Sequence, residues 1–381
     1  MSKLLMAGMM LIGLLASCSE NDKSPIEKGT PMKLTVTLDS PDMTKAAITD
    51  DPTTAAYIAS ESTINNVVVA LFDASGNIVG SPQSFLSTQI TSNQVSVTGT
   101  SLVTKVAVAA NIPQTAFAGV AKLSDFEGKQ AVLDSTSTTA GGVTKQAPTK
   151  LPMVGEATVS GASTGTATVN VALTRLVSKV TISGIATHFD PNGAYANASF
   201  ALTEVFMNNV PSTVNCNATS TTSAIVSSPI FLHGEQVTAL GLPVAQQKIY
   251  LGTGDLTGTV TLPWAGNYKS FYVFPDSTKA SQMQLVVKGV FKMNATDTGV
   301  TVYYPIILNH GMSGTSFTGT TGSALPDGTD GVILNNKVYS LTVTIAAKGT
   351  TDPTKPINTA AVTVNATVAA WPTTTTQSAA Y

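Results

Sequence analysis

Short runs in which every second residue is apolar recur along the chain, and turns rich in Gly, Asn, Asp and Pro separate them. Such alternation predicts β-strands with one buried face. The first run, residues 33–38, places Leu34, Val36 and Leu38 on the same face. We therefore predict that the first element of the chain is a strand whose apolar face is buried in a core.

The next apolar segments predict more strands and one helical cover. Residues 64–72 form a strongly apolar strand, a turn follows at 73–77, and Ile78 begins the predicted partner strand of a hairpin. Residues 102–110 predict a central strand. The apolar residues of the segment 114–133 have mixed spacing, which predicts a short helix that covers the sheet.

Strand patterns continue to the end of the chain, with a change of unit near the middle. The strand at 166–173 runs directly into another at 174–182, and 381 residues can bury more than one core. We predict an N-terminal domain at 46–177 and a C-terminal domain at 178–381. The further strands predicted in the second domain lie at 200–207, 269–274, 284–291, 302–308, 338–345 and 361–370. The predicted fold class is all-β with a minor helix, built as antiparallel β-sandwiches.

Residues 1–18 have the order of a secretory signal. Lys3 precedes an apolar run at 4–15, and the tetrapeptide Leu-Ala-Ser-Cys ends at Cys18. The apolar run is too short to span a bilayer comfortably, and small residues before a cysteine are what a lipoprotein signal peptidase needs. We predict an exported lipoprotein with its lipid on Cys18; the alternative is an ordinary cleaved signal with an incidental cysteine.

Charge and cysteine content narrow the classes of function. Charged residues make up 11% of the chain, the formal net charge is −2, and Arg175 is the only arginine. Nucleic-acid binding needs a basic surface that displaces counterions, so we predict no nucleic-acid partner. Cys216 is the one cysteine besides Cys18, so the mature protein has no intrachain disulfide, and its strand-like surroundings predict a buried structural thiol.

Residues with catalytic or ligating chemistry are scattered along the chain. The three histidines, His188, His233 and His310, have no carboxylate or cysteine at a metal-ligand spacing. No phosphate-binding glycine loop follows a strand and opens a helix, and the Gly-x-Ser-x-Gly pattern at 161–165 is followed by a predicted strand and not by the helix of a nucleophile elbow. We therefore predict a protein that is not an enzyme, with no catalytic residue, metal or cofactor.

Four aromatic residues, Trp264, Tyr268, Phe271 and Tyr272, lie within nine positions. They are suited to a carbohydrate-stacking platform, because an aromatic ring offers a flat apolar face. Phe271 and Tyr272 also belong to a strand pattern, which places aromatic rings in a core. The core interpretation is favoured, and the platform stays open as the alternative.

A set of short motifs occurs in one order along nearly the whole chain. They are LASC at 15–18, TKA at 44–46 after the first strand, INNV at 64–67 leading into LFDASG at 71–76, LPMVG at 151–155, LTRLVSKV at 173–180, FALT at 200–203 with NVP at 209–211, FYVFP at 271–275, NKVYSLTV at 336–343 and Trp371. In this order and spacing the chain resembles the fimbrillins, the pilin subunits of the Bacteroidetes type V pilus.

The resemblance implies a fold and a way of assembling. Such pilins look like two tandem transthyretin-like β-sandwiches, exported as lipoproteins, with the first strand completing the N-terminal sheet. A surface protease then cuts after that strand, so residues 19–45, the tether and the strand carrying Leu34, Val36 and Leu38, would be a propeptide. A C-terminal strand of another subunit fills the groove that remains.

Lys45 and Ala46 match the position where the family is cleaved, although the family usually has Arg before Ala. Either the protease accepts lysine or this subunit keeps its first strand. The donor-strand candidates are Val362, Val364, Ala366 and Val368, which alternate on one face, together with the tail that ends at Tyr381. A tail beyond Trp371 favours a shaft subunit over a tip subunit.

The implied function is that of a structural pilin that polymerises on the cell surface and supports adhesion. Its partners would be copies of itself, accessory pilins, a surface protease, the outer membrane through the lipid, and a host glycan or protein ligand. Two alternatives stay open. One is a tip or accessory adhesin that uses the loop at 311–331, and the other is a surface glycan-binding lipoprotein that uses the aromatic residues at 264–272.

Overall fold

The chain folds almost entirely into β-sheets, so the prediction of an all-β fold with a minor helix is confirmed. The structure, a computed structural model, describes residues 29–40, 61–133, 146–160, 165–217, 230–234, 250–252, 264–276, 283–309, 331–353 and 361–370. Among the predicted site residues, Cys18, Lys45, Ala46 and Tyr381 lie outside these ranges. In the described part of the chain, every helix is too short or too polar to cross a membrane.

Among the described residues, nine strands precede Ser178. They are β1 Pro31–Asp39, β2 Asn66–Phe72, β3 Gln83–Leu86, β4 Gln94–Thr100, β5 Lys105–Ala110, β6 Gln130–Val132, β7 Met153–Thr158, β8 Thr166–Ala172 and β9 Thr174–Arg175. Eight of them form two sheets, a three-stranded sheet in the order β4-β1-β8 and a five-stranded sheet in the order β3-β2-β5-β7-β9. The strand predicted at 102–110 therefore corresponds to β5, which lies in the middle of its sheet as expected.

The predicted hairpin at 64–79 forms only in part. Ile78 makes one isolated bridge with Phe72, and the strands that pair along β2 are β3 and β5. Gly80 has φ +85°, a left-handed conformation that redirects the chain before β3 begins. The partner strand was predicted too early because the pattern of apolar residues does not reveal this turn.

The helical cover predicted at 114–133 is present as two short pieces. A 3₁₀ turn spans Gln114–Phe117, and the helix α1 spans Leu123–Glu127. The rings of Phe117 and Phe126 are both buried, with their centroids 4.7 Å apart. Each piece therefore places one aromatic ring against the sheet.

From Ser178 onward, the described ranges contain eleven strands. They are β10 Ser178–Thr187, β11 Ser199–Asn208, β12 Val210–Pro211, β13 Thr213–Asn215, β14 Phe231–Leu232, β15 Tyr250–Gly252, β16 Trp264–Val273, β17 Gln284–Lys292, β18 Val300–Ile307, β19 Lys337–Ile345 and β20 Val362–Ala370. Two four-stranded sheets have the orders β16-β10-β19-β20 and β15-β11-β17-β18, and β12 pairs with β14. Strand pairing is antiparallel throughout these sheets except for two parallel pairs, β1 with β8 and β10 with β19.

The described residues form two apolar cores. One lies between the first two sheets and contains residues up to Leu173, whereas the other combines residues from both sides of Ser178. The short strand β6 also pairs with β13, so backbone hydrogen bonds cross between the two parts of the chain. The domain boundary between 177 and 178 stays a prediction.

Candidate functional site

Strand β1 lies at the centre of its sheet, between β4 and β8, and is not an edge strand. It pairs with β4 in the antiparallel sense from Pro31 to Thr37 and with β8 in the parallel sense from Lys33 to Asp39. The polar groups of its backbone are therefore engaged on both sides. Removing β1 would leave β4 and β8 as two separate strands with unpaired edges facing each other across an empty slot.

The inward face of β1 is apolar and completely buried, as the alternation of the sequence predicts. Leu34 and Val36 are 0% exposed and Leu38 is 1% exposed. Leu34 is level with Val97 of β4, and Val36 is level with Val169 of β8. These side chains belong to the core between the two sheets, so β1 supplies the middle of that core.

Hydrogen bonds also hold the two ends of β1. Near its start, the Lys33 amide donates to the Gly165 carbonyl at 3.0 Å. At its end, the Asp39 carbonyl accepts from the Leu173 amide at 2.9 Å. The strand is therefore fastened along its whole length.

The candidate donor residues belong to β20, which is an edge strand of its own sheet. β20 pairs in the antiparallel sense with β19, so that Val362 is level with Ile345 and Ala370 is level with Lys337. Val362 and Val364 are buried in the second core, whereas the side chains of Ala366 and Val368 lie outside the described part. In this structure β20 therefore completes its own subunit, and its use as a donor stays a prediction.

The aromatic segment near residue 270 is part of the second core. Phe271 and Tyr272 are buried, together with Val273 and Phe274, which confirms the core interpretation of those two rings. The side chains of Trp264 and Tyr268 lie outside the described part. A carbohydrate platform that includes Phe271 and Tyr272 is wrong, because neither ring reaches solvent.

The remaining candidate chemistry is structural. Cys216 is buried as predicted, and burial raises the pKa of its thiol to about 12. His233 is also buried, and desolvation of its charged form lowers its pKa to about 4, whereas His188 is exposed. His310 lies outside the described ranges, and within them no group of three or more metal-ligating side chains comes together.

One buried charged cluster was missed by sequence reasoning. Glu61 is fully buried, and its carboxylate accepts from the Lys179 ammonium at 3.0 Å and from the Tyr272 hydroxyl. Its backbone carbonyl accepts from Arg175 Nε at 3.2 Å. No local signal marks Glu61 as buried, since it follows a polar, loop-like stretch and its partners are more than 100 positions away.

The comparisons with known proteins agree with this fold. A family model described as major fimbrial subunit protein (FimA) matches residues 32–224. A solved structure of a candidate cell adhesion protein from Bacteroides eggerthii is 21% identical, with a TM-score of 0.62 over 90% of this chain and 97% of that one. A fimbrilin from Porphyromonas gingivalis is 16% identical, with a TM-score of 0.60 over 90% of this chain and 98% of that one. No curated protein is significantly similar in sequence.

Proposed function

The chain belongs to the family of major fimbrial subunit proteins, and we propose that this subunit polymerises into a cell-surface pilus by exchanging its first strand for a strand of a neighbouring subunit. The observation that carries the proposal is the place of β1 between β4 and β8. β1 is central in its sheet and is the first element of the described chain. Another subunit could therefore supply a strand in its place.

The apolar face of β1 sets the energy scale of this exchange. Four buried side chains, Met32, Leu34, Val36 and Leu38, would be exposed or lost together. At roughly 1.5–3 kcal/mol for each, the gross loss is about 6–12 kcal/mol. Whole domains are stable by only about 5–15 kcal/mol, so a subunit without β1 is expected to need a replacement strand.

A cut between Lys45 and Ala46 would start the exchange by ending the covalent link between β1 and the rest of the subunit. The cut alone does not release β1, because two ladders of hydrogen bonds and the apolar face still hold it. An incoming strand can compete for the same slot one residue pair at a time. The protease in this proposal accepts lysine at the cleavage position.

The reach of the C-terminal segment supports β20 and the tail together as the donor. While β20 stays paired, it ends beside Lys337, at the end of the sheet where β10 begins. The residues 371–381 that follow can span at most about 40 Å, and the slot left by the nine-residue strand β1 is about 30 Å long, so only about 10 Å would remain to bridge two subunits. If β20 detaches, residues 362–381 start from the opposite end and reach about 70 Å.

Detached in this way, β20 presents Val362, Val364, Ala366 and Val368 at the same two-residue spacing as Leu34, Val36 and Leu38. Val362 and Val364 would leave their own core, and the apolar face of the donor would fill the slot in a neighbour. The contact joins two different surfaces, so it repeats without closing and builds a filament.

We also propose that Cys18 carries a lipid and that the unprocessed subunit is held at the outer membrane by it. The signal-like order of residues 1–18 supports this step. Release from the lipid then accompanies removal of residues 19–45. A role in adhesion follows from a filament that extends from the surface.

The experiment that tests the proposal is N-terminal sequencing of the protein in pili sheared from cells. The expected first residue is Ala46. Pili whose subunits all begin at a lipidated Cys18 would contradict strand exchange, because the slot would still be filled by β1.

A further inference from the structure

The two residues that connect β9 to β10 are fixed to both sides of the molecule. Leu176 and Val177 are fully buried. The Leu176 amide donates to the Pro152 carbonyl at 2.9 Å, and the Val177 carbonyl accepts from the Asn336 amide at 3.0 Å. The connection therefore lacks the exposure of a flexible linker, and each of its two residues makes a backbone hydrogen bond.

A second tie joins the two parts at β6 and β13. The Lys129 carbonyl accepts from the Cys216 amide at 2.7 Å, and the Leu133 amide donates to the Ser212 carbonyl at 3.0 Å. These bonds flank the antiparallel pairing of the two short strands. The part of the chain before Ser178 thus contributes a strand to the packing of the part after it.

The third contact between the two parts is the buried ion pair of Glu61 with Lys179, together with the hydrogen bond from Tyr272. Glu61 precedes β2, whereas Lys179 lies on β10 and Tyr272 on β16, directly opposite Lys179 in the register of the sheet. Both contacts end on the same oxygen, Oε1 of Glu61. The Arg175 side chain holds the backbone of Glu61 to β9, so one residue contacts both parts of the molecule.

We propose that Glu61 is an orienting residue that locks the two parts of the subunit, before and after Ser178, into one rigid body. A buried carboxylate is costly unless its partners stay in place, so any rotation that separates Glu61 from Lys179 and Tyr272 is strongly disfavoured. Apolar packing alone tolerates small sliding, but a carboxylate oxygen that is 3.0 Å from an ammonium and also accepts from a tyrosine hydroxyl restricts the geometry far more. The two parts of the subunit then move as one body and do not rotate relative to each other. This property is independent of strand exchange.

The test is a distance measurement between the two parts. Spin labels at Ser96→Cys on β4 and Thr301→Cys on β18, both exposed positions, report the separation by pulsed electron spin resonance. The background chain carries Cys18→Ser, and the buried Cys216 does not react with the label. We expect a single narrow distance in the otherwise unchanged chain, and loss of that narrow peak in Glu61→Ala.

The matched control is Glu204→Ala, which removes an ion pair with Lys288 that lies wholly within the second part. We expect the narrow peak to persist in this variant, although an ion pair has been lost. If Glu61→Ala does not fold, Lys179→Met and Tyr272→Phe are measured in the same way, because each removes one partner and keeps most of the packing. A narrow, unshifted peak in the folded Glu61 or Lys179 variants would overturn the proposal.

Discussion

The hydroxyl of Ser40 donates a 2.9 Å hydrogen bond to the carbonyl oxygen of Ser62. Ser40 follows β1, and Ser62 precedes β2, so the two ends of the segment that contains Lys45 and Ala46 lie side by side. A cut in that segment would end the covalent link between β1 and β2 but would not by itself break this hydrogen bond. Cleavage and strand loss would therefore be two distinct steps that experiments can resolve.

We expect Lys45→Gln to prevent processing, because the proposed protease needs a basic side chain before the cut. The measurement is N-terminal sequencing of the surface protein, which should no longer begin at Ala46. Lys33→Gln is the matched control, since Lys33 is exposed on β1 and its loss leaves Lys45 intact. An Ala46 N-terminus in the Lys45 variant would contradict the assigned position.

The buried face of β1 should control the stability of the unprocessed subunit. Leu34→Ala is expected to lower the free energy of unfolding by about 2–5 kcal/mol, because it leaves a cavity in a closed core. Thr35→Ala, on the outward face, should change it by less than about 0.5 kcal/mol. Urea denaturation of both variants measures these free energies of unfolding. Equal changes in the two variants would mean that the apolar face of β1 is not buried as described.

A subunit that begins at Ala46 should depend on a strand supplied by another molecule. We expect this truncated chain to unfold more readily than the complete one, and to form oligomers in which C-terminal strands fill the slot. Addition of a peptide with the sequence of residues 31–40 should restore a stable monomer, as measured by thermal unfolding and size-exclusion chromatography.

The control for this rescue is the same peptide with Leu34→Ser and Val36→Ser, which keeps the backbone donors but loses the apolar face. It should not rescue the chain. A truncated subunit that is monomeric and as stable as the complete protein without any peptide would rule out the exchange mechanism.

Deletion of residues 372–381 should distinguish a shaft subunit from a tip subunit. A shaft subunit without its tail is expected to fold, because β20 remains, but to stop forming filaments in electron micrographs, because the donor has become too short. When this shortened subunit is mixed with the complete one, it should still accept a donor strand but supply none. The pili of the mixture should therefore be shorter. Unchanged filament formation would contradict the proposed need for residues 372–381 in the donor.

Stability should fall with acidity through His233. Burial holds its pKa at about 4 in the folded protein, below the usual value of 6.5, so the unfolded chain binds the extra proton first. The stability associated with this group is present above pH 6.5 and is lost as the pH falls toward 4. In His233→Phe the urea midpoint should vary less over this window. His188→Gln, which changes an exposed histidine, is the matched control.

The sequence by itself determined the class of the fold and the role of individual faces. The alternation at 33–38 predicted which side chains of β1 are buried, and the surroundings of Cys216 predicted its burial. Both properties are local: the pleat of a strand places every second side chain on one face, whatever strand lies beside it. The family resemblance was likewise readable from the order of short motifs.

The tertiary structure alone decided the partners. That β1 lies between β4 and β8, with one antiparallel and one parallel neighbour, follows from the packing of segments more than 50 residues apart. The same holds for Glu61, because its buried carboxylate contacts Lys179 and Tyr272, which are more than 100 positions away in the sequence. A two-residue period specifies the buried face of a strand, but which strand fills the neighbouring place is decided only when distant apolar faces close over one another.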